Sequence, residues 1–186
     1  MKRIAFVLMA LTMVGGSAFA FDIMSFPPRV EGGDIMVDAG IGLRSIGYTG
    51  ANWVIPPIFV QGEYALPVGV PISVGGMLAL SRYQYKNQFD IYNSTTWSWT
   101  DITIAGRANW HWGFDIDWLD LYSGMAMGYT ISRTGNTGSF NIGLTDYSGF
   151  YYAFQGGAHF YFTDFIGAMA EVGYPYWIKV GVALKF

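Results

Sequence analysis

The sequence predicts an all-β fold, namely a closed, antiparallel, up-and-down transmembrane β-barrel of about eight strands. Charged residues make up 12% of the chain and aromatic residues 18%, whereas about a quarter of the residues in a soluble domain are charged. Apolar and polar residues alternate along several segments with the period of a β-strand. Long and short connections alternate between these segments, which is typical of transmembrane barrels.

The beginning of the chain predicts a cleaved signal peptide over 1–20. Two basic residues follow the first Met, an apolar run covers 4–14, and small residues come next, which matches the three parts of a secretory signal. A transmembrane anchor helix would need about 20 consecutive apolar residues, and this run is shorter. We expect a short lead-in on the periplasmic side over 21–34 and the barrel domain over 35–186.

Composition excludes several classes of function. The chain has no cysteine, so it holds no disulfide, no thiol nucleophile and no Cys-ligated zinc. Its net charge of −3 offers no basic surplus for nucleic acid. His111 and His159 are the only histidines, and neither lies at a spacing that indicates a metal site or a Ser-His pair. We therefore expect hydrogen-bonded histidines in the barrel interior, no cofactor and no enzymatic activity.

Alternation is clearest over 177–186, where one face is wholly apolar and the other carries Lys179 and Lys185. The segments 35–44 and 100–112 likewise confine every charge to one face. A transmembrane barrel turns the apolar face to lipid and the polar face to its lumen. A soluble lipocalin-like barrel, the rival fold, would have the reverse facing. The predicted strands are 35–44, 57–66, 71–83, 98–112, 119–131, 149–162, 165–174 and 177–186.

The connections predict which end of the barrel faces outward. Odd-to-even connections over 45–56, 84–97 and 132–148 are long and polar, whereas the even-to-odd ones are short. Long external loops and short periplasmic turns are typical of outer-membrane barrels. A barrel of ten strands stays an alternative.

The inward positions predict a polar network in the lumen. Its expected members are Asp38, Arg44, Glu63, Arg107, Gln155, Glu171 and Lys179. Eight strands enclose about enough space for side chains to fill, and buried charges must be paired, so we expect a structural salt-bridge plug. The short turns predict Gln155 opposite Glu171 with Lys179 diagonal to it, and Glu63 or Asp38 as the partner of Arg107. The alternative is a narrow conduit, because many other inward residues are small.

The last segment of the chain carries a family resemblance. Its alternating residues form an expected C-terminal assembly signal of Tyr174, Ile178, Val180, Val182, Leu184 and Phe186. This segment resembles the signal that the β-barrel assembly machinery reads in outer-membrane proteins. Together with 167–174 it is similar to the small eight-stranded barrels of the OmpA, OmpX and OmpW type.

The resemblance implies a monomer in the lipid of the bacterial outer membrane that contacts the assembly machinery during biogenesis. In OmpW-like barrels an apolar lumen is associated with the passage of small hydrophobic molecules. We therefore expect an integral outer-membrane protein that is either structural or a passive conduit for such solutes. The alternative is an adhesin or binding protein that acts through loops 84–97 and 132–148, because surface loops often carry binding function.

Overall fold

The computed structural model is a closed barrel of antiparallel strands in the order β1 to β8, with β8 pairing back to β1. It describes residues 28–44, 51–90, 93–114, 116–138, 146, 148–174 and 176–186, so the expected signal peptide lies outside the described residues. The strands are β1 (Ile35–Arg44), β2 (Asn52–Ala65), β3 (Ile72–Asp90), β4 (Asn93–Trp112), β5 (Leu119–Gly138), β6 (Gly149–Tyr161), β7 (Ile166–Tyr174) and β8 (Tyr176–Lys185). The predicted fold class and strand number are confirmed, and the ten-strand alternative is wrong.

Closure leaves no open sheet edge around the body of the barrel. The seam runs from Met36 opposite Lys185 to Leu43 opposite Ile178. Such closure is required in hydrocarbon, where unpaired backbone N–H and C=O groups have no water to bind. Within the described residues, no helix is long and apolar enough to cross a membrane.

Side chains along each strand alternate between the lipid-facing surface and the lumen. Val180 and Val182 on β8 are 45% and 52% exposed, while Lys179 is 5% exposed. On β4, Ile104 is 54% exposed and Arg107 is 4% exposed. The apolar face therefore points outward, and the facing required by a soluble lipocalin-like barrel is wrong.

Three strands extend beyond the others at one end, which we call the extended end. The predicted loop 84–97 is wrong over most of its length, because β3 continues to Asp90 and β4 begins at Asn93, and the first part of the predicted loop 132–148 is wrong because β5 continues to Gly138. This part of the sheet projects past the apolar surface. Both of its faces are rich in Ser, Thr, Asn and Gln, so no apolar alternation marked it as strand.

The beginning of β2 also differs from the prediction. It starts at Asn52 rather than at 57, and its pairing with β3 shifts between Trp53 and Ile58. Pro56 and Pro57 lie in this interval. A proline has no N–H to donate to the ladder, which explains the irregular register.

The opposite end, which we call the turn end, holds the short turns and a strap formed by residues 28–34. Val30 is 4% exposed and belongs to a small apolar cluster at this end. The guanidinium of Arg29 reaches the opposite side of the mouth and donates to the carbonyl of Asp117. Lys185 Nζ donates to the carbonyl of Arg29 at 3.2 Å. The described part of the lead-in, residues 28–34, therefore lies across the mouth of the barrel.

We expect Val180→Arg to lower the free energy of unfolding by about 2–4 kcal/mol, because it places a charge in the hydrocarbon. Thr137→Arg is the matched control, since Thr137 is exposed on the same face but lies in the extension of β5, and we expect it to change stability by less than about 0.5 kcal/mol. Urea unfolding of protein refolded into phospholipid vesicles measures both. Equal, small effects would show that the apolar face does not contact lipid.

Candidate functional site

The lumen near the turn end is filled by polar side chains that touch one another. They are Asp38, Gln61, Glu63, Ser73, Arg107, Asn109, His111, Asp120, Tyr122, Gln155, His159, Glu171 and Lys179. Each occupies an inward position of the strand alternation, and every strand from β1 to β8 contributes at least one. The same alternation that gives the barrel its apolar outer face therefore collects the charges inside it.

Arg107 is the centre of this network. Its Nε lies 2.7 Å from Glu63 Oε1, its second terminal nitrogen lies 3.0 Å from Glu171 Oε2, and its first donates to Gln61 Oε1. Glu171 in turn lies 2.5 Å from Lys179 Nζ. The planar guanidinium thus joins β4 to β2 and β7, and Glu171 extends the chain of contacts to β8.

Tyr122 completes the surroundings of Glu171. Its hydroxyl donates to Glu171 Oε2 at 3.1 Å, and its ring stacks on His159 with 4.8 Å between centroids. A Cβ atom at Gly157 would lie 2.4 Å from the Tyr122 ring. Gly157 therefore has to lack a side chain for Tyr122 to occupy this place.

Ion pairs and hydrogen bonds form a closed ring inside the barrel. The ring runs in order through Arg107, Glu63, Ser73, His111, Asp120, His159, Asp38 and Gln61 and returns to Arg107. The Asp120 carboxylate lies 2.9 Å from Nδ1 of both His111 and His159. Asp38 Oδ2 accepts from Gln61 Nε2 at 2.9 Å and faces His159 Nε2 at 3.3 Å.

The two imidazoles link the carboxylates of the ring. A carboxylate only accepts hydrogen bonds, and His159 faces one with each ring nitrogen, those of Asp120 and Asp38. Ser73 donates to Glu63, while His111 faces Ser73 with Nε2 and Asp120 with Nδ1. Each imidazole is thus held between two polar partners.

Every carboxylate of the network contacts basic or hydrogen-bonding side chains. The carboxylates belong to Asp38, Glu63, Asp120 and Glu171, and the basic side chains belong to Arg107, Lys179, His111 and His159. Buried charges cost several kcal/mol each unless they are paired and hydrogen-bonded. The direct contacts between these two sets of side chains offset that cost.

Ser73, His111 and Asp120 have the connectivity of a Ser-His-Asp triad, which no sequence spacing indicated. His111 Nε2 lies 2.9 Å from Ser73 Oγ. However, all three residues are 0% exposed, and the Ser73 proton goes to Glu63 rather than to His111. Ser73 is closed off from solvent and its proton is engaged by Glu63, so the arrangement does not support nucleophilic attack by Ser73. Within the part of the chain that the structure describes, no cluster of His, Asp or Glu is suited to hold a metal ion.

The structure brings most of the sequence-predicted network residues together. Those in contact are Asp38, Glu63, Arg107, Gln155, Glu171 and Lys179. The backbone of Arg44 ends β1, but its side chain lies outside the described residues. Sequence reasoning missed Gln61, Ser73, Asn109, Asp120 and Tyr122, although the polar character of their inward positions was a usable signal.

The predicted register between β6 and β7 was wrong by two residues. Gln155 pairs with Gly173 rather than with Glu171, because the turn after Tyr161 closes through a hydrogen bond from Phe162 N to Ile166 O rather than as a two-residue turn. Glu171 lies directly opposite Lys179, not diagonal to it. Gln155 instead donates to Asn109, which donates to both oxygens of Glu63.

The residues of the expected assembly signal lie at the end of β7, in β8 and directly after β8. Among them, Tyr174, Ile178, Val180, Val182 and Phe186 are 43–69% exposed. They therefore form part of the outer surface and take no part in the lumenal network.

An apolar outer surface around a polar, filled lumen defines this structure as a small transmembrane-type β-barrel. No family model matches the sequence, and no curated protein matches it. Among solved structures, the chain is similar to Ail, the attachment invasion locus protein of Yersinia pestis, in complex with the heparin analogue sucrose octasulfate. Identity is 13%, the TM-score is 0.49, and the match covers 84% of this chain and 100% of that one.

Two further solved structures show comparable similarity. Ail of Yersinia pestis in a phospholipid bilayer nanodisc is 13% identical over 83% of this chain and 99% of that one, with a TM-score of 0.44. The N-terminal β-barrel domain of Pseudomonas aeruginosa OprF is 15% identical over 84% of this chain and 98% of that one, with a TM-score of 0.42. Similarity this low says nothing about what the present chain binds.

We expect Arg107→Leu to lower the free energy of unfolding by about 3–5 kcal/mol, because it leaves Glu63 and Glu171 buried without their partner. The control is Arg133→Leu, since Arg133 pairs with Asp146 at 3.8 Å while its side chain is 75% exposed, and such surface pairs are worth at most about 1 kcal/mol. Tryptophan fluorescence during urea unfolding in detergent micelles reports both. A small loss at Arg107 would show that the network does not stabilise the barrel.

Proposed function

We propose that the chain is an integral, monomeric protein of the bacterial outer membrane and that its barrel is a structural, non-conducting one. The outward apolar side chains of all strands support contact with lipid, because a soluble protein rarely exposes so large an apolar surface. The closed sheet supports the same environment. The proposed membrane location and the proposed structural role require no catalysis, and Ser73 is inaccessible to a substrate.

The observation that carries the non-conducting role is the ring of contacts through Arg107. It crosses the lumen and leaves its members almost wholly buried, with Arg107 4% and His159 1% exposed. Next along the lumen, Lys179 lies against Met77 Sδ at 3.6 Å and over the ring of Phe59 at 5.2 Å. The space between Gly42, Phe59 and Lys179 admits no water-sized sphere. This packing favours a plug over a conduit for small hydrophobic solutes.

The extended end faces the cell exterior in this proposal. The projecting parts of β3, β4 and β5 are polar and lie past the apolar surface, where water surrounds them. The turn end, with the strap of residues 28–34, then lies in the periplasm. The alternation of long and short connections in outer-membrane barrels supports this orientation.

A surface-binding role is the second candidate, and the projecting sheet favours it. Paired strands such as Lys86 opposite Thr96 and Thr96 opposite Thr137 give this extension a fixed shape, which suits recognition of a partner. Replacing 85–97 with a short turn tests this role in a cell-attachment assay. Loss of attachment with an unchanged barrel would support it, and unchanged attachment would contradict it.

We expect the refolded protein to give no discrete single-channel conductance in a planar bilayer, because the charged network fills the lumen. A heat-modifiable gel shift on the same sample reports that the barrel is folded, and a large open porin serves as the positive control. Discrete openings by the folded protein would contradict the plug and favour the passive conduit. A protein that shows no gel shift and stays soluble without detergent would contradict the membrane assignment.

We further propose that the outward face of β8 and Phe186 is recognised by the β-barrel assembly machinery. Phe186 is 69% exposed, while its backbone exchanges hydrogen bonds of 2.9 Å with Ile35. The side chain is therefore available to a partner, and the backbone alone completes the seam with β1.

We expect Phe186→Ala to reduce the amount of barrel in the outer membrane of cells while leaving its unfolding in detergent nearly unchanged. Phe162→Ala is the matched control, because Phe162 is also at the turn end and is 74% exposed. Immunoblots of outer-membrane fractions measure the amount. Equal loss for both variants would show that general hydrophobicity at this end, and not recognition of Phe186, determines assembly.

A further inference from the structure

The outward face of β3, β4 and β5 changes from apolar to cationic at a single register row. Leu80 pairs with Ile102, and Ile102 pairs with Ile131. Toward the extended end, the next outward row is Arg82 opposite Thr100 opposite Arg133. Since neighbouring strands align these residues, the boundary between apolar and polar surface is sharp.

The outward rows beyond this boundary stay polar and add a third cation. They contain Gln84, Ser98 and Gly135 in one row and Lys86, Thr96 and Thr137 in the next. We call the surface formed by Arg82, Thr100, Arg133 and Lys86 the cationic patch. It combines three positive charges with a hydroxyl group directly above the apolar surface.

The described part of the chain offers few acidic partners to the cations of this patch. Arg82 Nε makes no hydrogen bond there. Arg133 lies 3.8 Å from Asp146, and both side chains are largely exposed at 75% and 48%. Lys86 is exposed. A long contact between exposed side chains is weak, so the described residues of the patch carry a net positive charge.

The opposite end of the barrel carries the opposite charge. Its described acidic residues outside the lumen are Glu31, Asp34, Asp117 and Asp164, and its cations there are Arg29 and Lys185. Both of these cations already contact acids or carbonyls within the chain. Among the described residues the barrel is therefore polarised, with positive charge at the extended end and negative charge at the turn end.

We propose that the cationic patch binds the phosphate groups of an anionic glycolipid in the outer-facing leaflet of the membrane. Arginine presents a planar array of donors that matches phosphate oxygens. Arg82 and Arg133 are separated by two strand spacings, about 9–10 Å, with the Thr100 hydroxyl between them. A lipid whose acyl chains lie against Leu80, Ile102 and Ile131 has its headgroup at this height.

This assignment rests on the proposed outer-membrane location and orientation, and it adds a specific lipid partner to them. The patch faces away from the lumen, so its ligand approaches from the bilayer. A free phosphate ion would gain the same hydrogen bonds but no contact with the apolar rows below. We therefore assign the lipid and not the soluble anion as the ligand.

The test measures the affinity of refolded protein in phosphatidylcholine nanodiscs for fluorescent lipopolysaccharide. We expect Arg82→Gln/Arg133→Gln to weaken binding about tenfold or more, because two charge-assisted hydrogen-bonding groups are lost. Arg82→Lys/Arg133→Lys keeps the charge but loses the planar donor arrays, so its affinity should lie between those of the wild type and Arg82→Gln/Arg133→Gln. Lys185→Gln removes a charge at the turn end and should leave the affinity unchanged.

Several results would overturn the assignment. One is equal affinity of the wild type and Arg82→Gln/Arg133→Gln when both show the heat-modifiable gel shift. Another is equal binding of lipopolysaccharide from which the phosphates have been removed, or displacement of the lipid by millimolar inorganic phosphate. A wild type that lacks the gel shift would instead overturn the membrane location itself, so the two failures are distinguishable.

Discussion

Polar groups inside a barrel that crosses hydrocarbon find partners only among themselves. Within the body of the barrel the outward positions are mostly apolar, and the polar side chains of the lumen are almost wholly buried. Arg107 therefore needs Glu63 and Glu171, and each of those needs further donors. The ring supplies those partners to Glu63, and Lys179 and Tyr122 supply them to Glu171.

The same contacts that satisfy the charges also hold the strands in register. Arg107 joins β4 to β2 and β7, whereas Glu171 and Lys179 join β7 to β8 directly across the ladder. Apolar replacements of equal volume would fill the lumen as well, and buried ion pairs are often no more stabilising than such replacements. What the ion pairs add is specificity for one strand register, because a shift of one strand would leave a carboxylate without its cation.

The parts of this structure that were predictable are those in which one face meets lipid. β8 was recognised because its apolar residues alternate with Lys179 and Lys185, and the hydrocarbon enforces that alternation. The extension of β3 to β5 carries polar residues on both faces, so its sequence resembles a loop. The ring was not predictable as a whole because Asp120, His159 and Asp38 meet across the lumen, where the side-chain conformations and the turn lengths decide which atoms touch.

The contact between His159 and Asp38 joins residues 121 positions apart in the chain. It forms only when the sheet has curved far enough for β6 and β1 to face each other across the interior. Contacts between neighbouring strands, such as that of Glu171 with Lys179, can form within a single hairpin. The contacts of Arg107 with Glu171 and of His159 with Asp38 cannot, because they join strands that are not neighbours in the sheet. The interior network is therefore complete only when the barrel has closed.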